Sequence, residues 1–229
     1  MSDPIQHDPA VALDRLRHSM WRIMGAVRWA RAVNAVWRTF NRYEGRQEVA
    51  DSPAGPAAHV YERATLDAQI MMISRVFDKP GRGHILTQNR MSFPVCRTLM
   101  TEPGVSEMLL NQSEGWNDLG VRNRESLMAR CQVFLDALIA LENEEPNRIE
   151  LVRGFRDENI AHELRFDALP PRPQYDHIHG LVDEASLLIG HLMLIVEGRE
   201  IHWEDADMDG SVTWLWNAVG QATRANDKL

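Results

Sequence analysis

Apolar residues recur at steps of three and four along most of this 229-residue chain, and no segment sustains the two-residue alternation of a half-buried strand. That period belongs to α-helices with one buried face, so the chain is constrained to pack helices on helices. In the first long segment Leu13, Leu16, Met20, Ile23, Val27, Ala30, Asn34 and Trp37 form one stripe. Asp8 followed by Pro9 suits a helix start, with an acceptor at the cap and proline at the first helical position. The helix is expected over about 9–45, closed by Gly45 and the Ser52-Pro53-Ala54-Gly55-Pro56 cluster.

A second helix carries Leu66, Ile70, Ile73 and Phe77 and stops at Asp78-Lys79-Pro80-Gly81. Ser92 to Met100 reads as a short helix after a serine cap, with Pro103-Gly104 separating it from another, and Asn111 to Gly120 reads as loop. Leu127, Cys131, Phe134, Leu138 and Leu141 define a third long helix ending near Glu145-Pro146. A fourth is expected from about Asn147 through His162 to Phe166, before Leu169-Pro170-Pro171-Arg172-Pro173 forces an extended connection. A fifth holds Ile178, Val182, Ala185, Ile189, Leu192 and Val196, and an acidic tail from about 200 to 229 adds a sixth. The sequence therefore predicts an all-α, antiparallel bundle of five to six helices, forming one domain over 1–229.

Composition narrows the setting. A chain that is 44% hydrophobic and 25% charged is ordinary for a folded domain. Cys96 and Cys131 are too few and too far apart for a disulfide framework or a cysteine zinc cluster. The polar first ten residues lack a signal-peptide pattern, and no apolar run approaches the ~20 residues of a membrane span, so a cytoplasmic location is expected. The net charge of −8 argues against a general DNA coat. That average conceals a split. Arg15 to Arg46 holds eight arginines and one acid, whereas Asp183 to Asp209 holds eight acids and one base. Two solvated faces that meet in the fold, or an anion-attracting surface, would both account for it.

Several familiar motifs fail. Asp205-Ala206-Asp207-Met208-Asp209-Gly210 imitates the opening of a calcium loop, but Trp216 occupies the position that needs a bidentate glutamate. The Glu-x-x-His spacing of di-metal bundles is absent; Asp176 with His179, beside His177, is the nearest approach and suits a surface or capping role. There is no glycine-rich phosphate loop and no Gly-x-Ser-x-Gly elbow, and neither cysteine has a neighbouring histidine. No metal or cofactor is called for.

One constellation survives, Arg153-Gly154-Phe155-Arg156-Asp157-Glu158-Asn159-Ile160-Ala161-His162-Glu163. Val152, Phe155, Asn159, His162 and Phe166 step by three and four, so two of five inward positions are polar. At about 100° per residue, Arg156 and His162 fall about 60° to either side of Asn159 and about 9 Å apart along the axis. Burying such groups is costly unless each is paired. Arg156 is either salt-bridged to Asp157 or Glu158 beside a satisfied core histidine, or it converges with His162 on a phosphate.

Arg156-Asp157-Glu158-Asn159-Ile160-Ala161-His162 resembles the signature of the HEPN superfamily, an arginine, a polar residue, and a histidine after four to six positions. Ile73-Ser74-Arg75-Val76-Phe77-Asp78 resembles the Arg-x-Phe-Asp-like end of the second helix in the abortive-infection (AbiU-like) branch, and the likeness spans roughly residues 10 to 200. The resemblance implies a bundle that forms a homodimer with two copies of the motif facing each other across a two-fold axis. It implies a metal-independent endoribonuclease of toxin or phage-defence type with RNA as substrate. Arg156 and His162 would be the catalytic pair, with Asp157 and Asn159 in support. An antitoxin or other regulator is a further implied partner. Leu164 stands where the nucleotidyltransferase-regulated relatives carry tyrosine, so that mode of control is not implied. Some members are non-catalytic dimeric modules, which is the alternative expectation.

The chemistry is coherent. RNA carries its own nucleophile, the 2′-hydroxyl. A histidine with a pKa near ~6.5 exchanges protons around neutrality, and arginine holds phosphate oxygens bidentately as charge builds.

Overall fold

The computed structural model describes residues 8–116, 124–161, 173–203 and 206–226, and the side chains of these except 159–161, 206–209 and 223–226. His162, Phe166 and most of the proline-rich connection lie outside the described residues. Among the described residues there are nine α-helices and no strand. They are α1 (Pro9–Arg42), α2 (Arg46–Ala50), α3 (Gly55–Val76), α4 (Phe93–Met100), α5 (Val105–Ser113), α6 (Arg124–Glu142), α7 (Arg148–Phe155), α8 (Tyr175–Glu197) and α9 (Ala206–Asn226). The six picked out by apolar stripes are α1, α3, α6, α7, α8 and α9. The short α2, α4 and α5 raise the count, and α5 takes the start of the expected loop as far as Ser113.

At 34 residues, or about 51 Å, α1 is the axis of the bundle. It packs against α3, α4, α5, α8 and α9, while α6 and α7 close over α8 and α3. The start is capped as its sequence requires, with the Ala10 amide donating to Asp8 Oδ1 at 2.8 Å ahead of which Pro9 needs no donor. All eight stripe residues of α1 are buried, joined by Ala12, Ser19 and Phe40. The main core continues through Ile70, Ile73, Phe77, Phe93, Phe134, Leu138 and the apolar side of α8. A smaller cluster, Phe40, Val49, Ala58, Val212 and Trp216, ties α9 to the far end of α1. By length and composition α8 would cross a membrane, with a mean hydropathy of 1.4, but 61% of that window is buried among the other helices.

Two glycines are dictated by backbone geometry. Gly198 ends α8 at φ 65°, and a Cβ there would lie 2.6 Å from the Trp116 ring. Gly104 opens α5 at φ 82° against the Pro9 ring.

The oppositely charged segments do meet, because α1 packs on both α8 and α9. Arg17 pairs with Glu197 at 3.7 Å, and Arg31 faces Asp183. From Ala206 to Gly210 the acidic stretch is already the first part of α9 and does not form a loop.

Candidate functional site

The fourth stripe does not continue as one α-helix. From Arg156 to Ala161 the backbone widens into a π-helical turn. Its hydrogen bonds span one residue more than an α-turn, so the 100° spacing assumed between Arg156, Asn159 and His162 does not hold across it. Such turns are frequent at functional sites. Val152 and Phe155 point into the core as the stripe requires.

Arg156 turns toward the end of α3. Its Nη1 donates to Asp78 Oδ1 at 3.0 Å and to Ser74 Oγ at 3.3 Å, and its Nε donates to Asp157 Oδ1 at 2.7 Å. Ser74 lies in the last turn of α3 and Asp78 just past its end, and the two converge on the same Nη1. Asp157 is thus a partner of Arg156, as one reading of the sequence had it. Asp78 and Ser74 are partners that the sequence reading missed, although the segment holding them had been singled out. Burial alone would depress the Arg156 guanidinium, but the bonds to Asp157 and Asp78 outweigh it and hold its proton more tightly than usual. This arginine is a fixed cation.

Asp78 is set in place from three directions. Phe77, fully buried, packs on Phe93 with ring centroids 5.4 Å apart, and Phe93 in turn meets Phe134. The Ser92 hydroxyl, which also caps α4, donates to the Asp78 carbonyl at 2.5 Å. Arg153 Nε approaches the Asp78 carboxylate to 3.6 Å.

Beside this pair opens a cleft of about 530 Å³, lined by Arg22 of α1, Arg75 and Asp78 at the end of α3, and Asn89 and Arg90 of the following loop. Gln88 pins that loop, accepting from the Gly81 amide at 2.6 Å and donating to the Gly81 and Gly83 carbonyls at 3.1 Å. Arg90 donates to the Lys79 carbonyl at 2.7 Å, which leaves its charge unneutralised. Among the described residues Arg22 and Arg75 have no ion-pair partner, and the one lining acid, Asp78, is already answered by Arg156 and Arg153. The cleft is therefore positive within a chain of net charge −8. A second cleft of about 400 Å³, lined by Phe77 and Lys79, has its charges matched, Lys79 with Glu150 at 2.9 Å and Arg97 with Glu142 at 2.5 Å. The Lys79 bond holds the Glu150 carboxyl below its ordinary range against the effect of burial, with Arg153 adding to it.

The sequence profile of the HEPN AbiU2 family (AbiU2) matches residues 11–212, a span that contains both halves of this site. The chain belongs to the HEPN AbiU2 family. Searches of curated proteins and of solved structures give no match. Within this HEPN AbiU2 chain, the end of the second long helix and the Arg156 segment, read separately from the sequence, form one constellation through the Arg156–Asp78 pair. Asn159 lies in the π-helical turn, and where its side chain and His162 stand relative to Arg156 falls outside the described residues.

The remaining chemical groups are quiet. Burial pushes the Cys131 thiol up to about 11 and raises that of Cys96 further, so neither is an activated nucleophile. His177 caps α8, its Nδ1 accepting from the Gln174 amide at 3.2 Å. Among the described residues no three histidine, cysteine or acidic side chains are grouped to hold a metal ion.

Proposed function

We propose that this protein is an endoribonuclease of the abortive-infection kind, acting on RNA in the cytoplasm as a homodimer. The observation that carries the reading is the half-buried, triply held Arg156 guanidinium, bonded to the Asp78 carboxylate of a cleft in which Arg22 and Arg75 lack anions among the described residues. A cation fixed in advance at a phosphate stabilises the charge that builds on phosphorus without having to reorganise. The reaction needs no metal on this reading. His162 removes the 2′-hydroxyl proton, the O2′–P bond forms, the P–O5′ bond breaks, and the imidazolium returns its proton to the departing 5′-oxygen. The products are a 2′,3′-cyclic phosphate and a 5′-hydroxyl. Arg156 faces the pentacoordinate species, Asp157 orients the guanidinium, and Asn159 supplies a polar contact. Asp78 and Ser74 position Arg156.

One observation favours a second reading, a non-catalytic dimeric binding or regulatory module. Arg156 is only 11% exposed, and three oxygens of the protein itself occupy its Nε and Nη1. That arrangement also serves as a structural lock between α3 and α7.

The deciding experiment incubates the purified protein with total RNA in EDTA beside His162→Ala and Arg156→Ala variants. Cleavage that resists the chelator and vanishes in folded variants supports the nuclease. Intact RNA throughout overturns it in favour of the module. Light scattering near twice the 26.2 kDa chain mass is expected on either reading.

A further inference from the structure

The seam between α1 and α8 holds polar atoms that the fold leaves without partners. The two helices run antiparallel there, Arg31 meeting Ser186 and Trp37 meeting Tyr175 and His179. Asn34 is 6% exposed, yet its Oδ1 receives no hydrogen bond. Farther along, the Trp37 indole nitrogen and both ring nitrogens of His179 are also buried and unpaired. Folded proteins rarely strand such atoms, and a run of them along one seam calls for an occupant.

The wall above Asn34 is cationic. Arg31, Arg38 and Arg42 succeed one another at steps of seven and four on α1, a row about 16 Å long. Arg31 is engaged with Ser186 at 3.0 Å and with the Trp203 ring at 4.7 Å. Arg38 and Arg42 are exposed and have no hydrogen bond or ion pair among the described residues. A recess of about 110 Å³ lies between these arginines and Asn34, with Asp183 its one lining acid among the described residues. At Thr39 and Arg42 it continues toward a second cleft reaching Thr213 and Asn217 of α9. Arg38 stands sixteen residues beyond Arg22, about 24 Å along the helix, so this groove is separate from the Arg156 cleft.

We infer that the α1–α8 seam is a ribose-phosphate groove, in which Arg38 and Arg42 take phosphate oxygens of an RNA strand and Asn34 Oδ1 accepts from a ribose 2′-hydroxyl. A bare anion satisfies the arginines and can accept from the Asn34 amide N–H, but it leaves Asn34 Oδ1 unpaired, because ionised phosphate oxygens only accept. The 2′-hydroxyl donates as well as accepts, which is the group that RNA has and DNA lacks. A strand fits better than a mononucleotide, since Arg38 and Arg42 are about 6 Å apart along the axis and present successive cations. Tyr175, 43% exposed and tilted against Trp37 with ring centroids 4.1 Å apart, ends the seam with an aromatic face on which a base can stack. The groove requires that the protein meet RNA, and does not require that it cut it.

The test measures fluorescence anisotropy of a labelled 12-nucleotide single-stranded RNA, its DNA counterpart and its 2′-O-methyl form, using the full chain carrying His162→Ala in EDTA. Arg38→Ala/Arg42→Ala should weaken RNA binding at least tenfold and reduce the slope of log affinity against log salt by about 1.4. Asn34→Leu should fold at least as stably and lose the preference for RNA over DNA. If that variant fails to fold, the 2′-O-methyl strand decides the point, because blocking the hydroxyl should lower affinity for the chain with Asn34 intact. Unchanged affinity and salt slope in a folded Arg38→Ala/Arg42→Ala chain overturns the groove, as does absence of RNA binding. Displacement by equimolar ATP overturns the assignment to a strand. RNA that is bound through the groove but left intact by the chain with His162 restored overturns only the nuclease reading.

Discussion

Arg156 Nη1 and Asp78 Oδ1 lie 3.0 Å apart although 78 residues separate them in sequence. The contact joins the π-helical turn after α7 to the end of α3, and it ties a fixed cation to Asp78, which lines the arginine-bearing cleft. Asp78 is 22% exposed and Arg156 11%, so each depends on the other far more than a surface pair does.

Asp78→Ala removes the principal anion from a nearly buried guanidinium and should lower stability by about 2 kcal/mol. Asp157 is 53% exposed, and its replacement by alanine should cost about 0.5 kcal/mol. Urea unfolding of the two variants in parallel checks the ordering. Equal losses would show that Asp78 is not the anchor.

Arg22 and Arg75 are exposed and unpaired among the described residues, so their loss should leave the fold intact. On the nuclease reading, Arg22→Ala/Arg75→Ala should reduce RNA cleavage by about tenfold or more, a loss of at least about 1.4 kcal/mol of transition-state stabilisation. The melting temperature should move by less than about 2 °C. Full cleavage in the double variant would remove the cleft from the mechanism.

Stability should fall on mild acidification. Burial holds His179 below its ordinary pKa, with Arg38 adding to the effect, Asp176 and Asp183 opposing it and Arg42 again lowering it. His191 is lowered in the same way, by burial and then by Arg130. Both therefore bind protons more readily in the unfolded chain, and folding is weakened as pH drops below about 6.5 toward their folded values. The urea midpoint at pH 5.5 should lie below that at pH 7.5, and His179→Gln/His191→Gln should flatten the difference. A midpoint that rises on acidification would contradict the assignment.

Gly198→Ala should destabilise the C-terminal end of α8. The left-handed backbone at φ 65° costs about 1–2 kcal/mol for a residue with a Cβ, and the Trp116 ring adds a steric term. Gly190→Ala, in the middle of α8 with open space around it, should be neutral or stabilising. Thermal melts should show a lowered midpoint for Gly198→Ala and an unchanged or raised one for Gly190→Ala.

The amino-acid order by itself determined the secondary structure of most of the chain. The eight stripe residues of α1, its Asp8-Pro9 start and the Ser92 cap of α4 were all legible, because helical period and capping are local properties. The two segments that make up the site were legible too, as Ser74–Asp78 and as the run beginning at Arg156. Their pairing was not. It depends on α7 crossing the end of α3 and on a π-helical turn that re-aims Arg156, and both are settled by packing around Phe77, Phe93 and Phe155. Likewise the eight arginines were visible as a charge run, but only the placement of α8 decides which of them meet acids and which remain open. Local periodicity writes helices into a chain, whereas the partners of a charge are chosen by whichever helices the core brings alongside it.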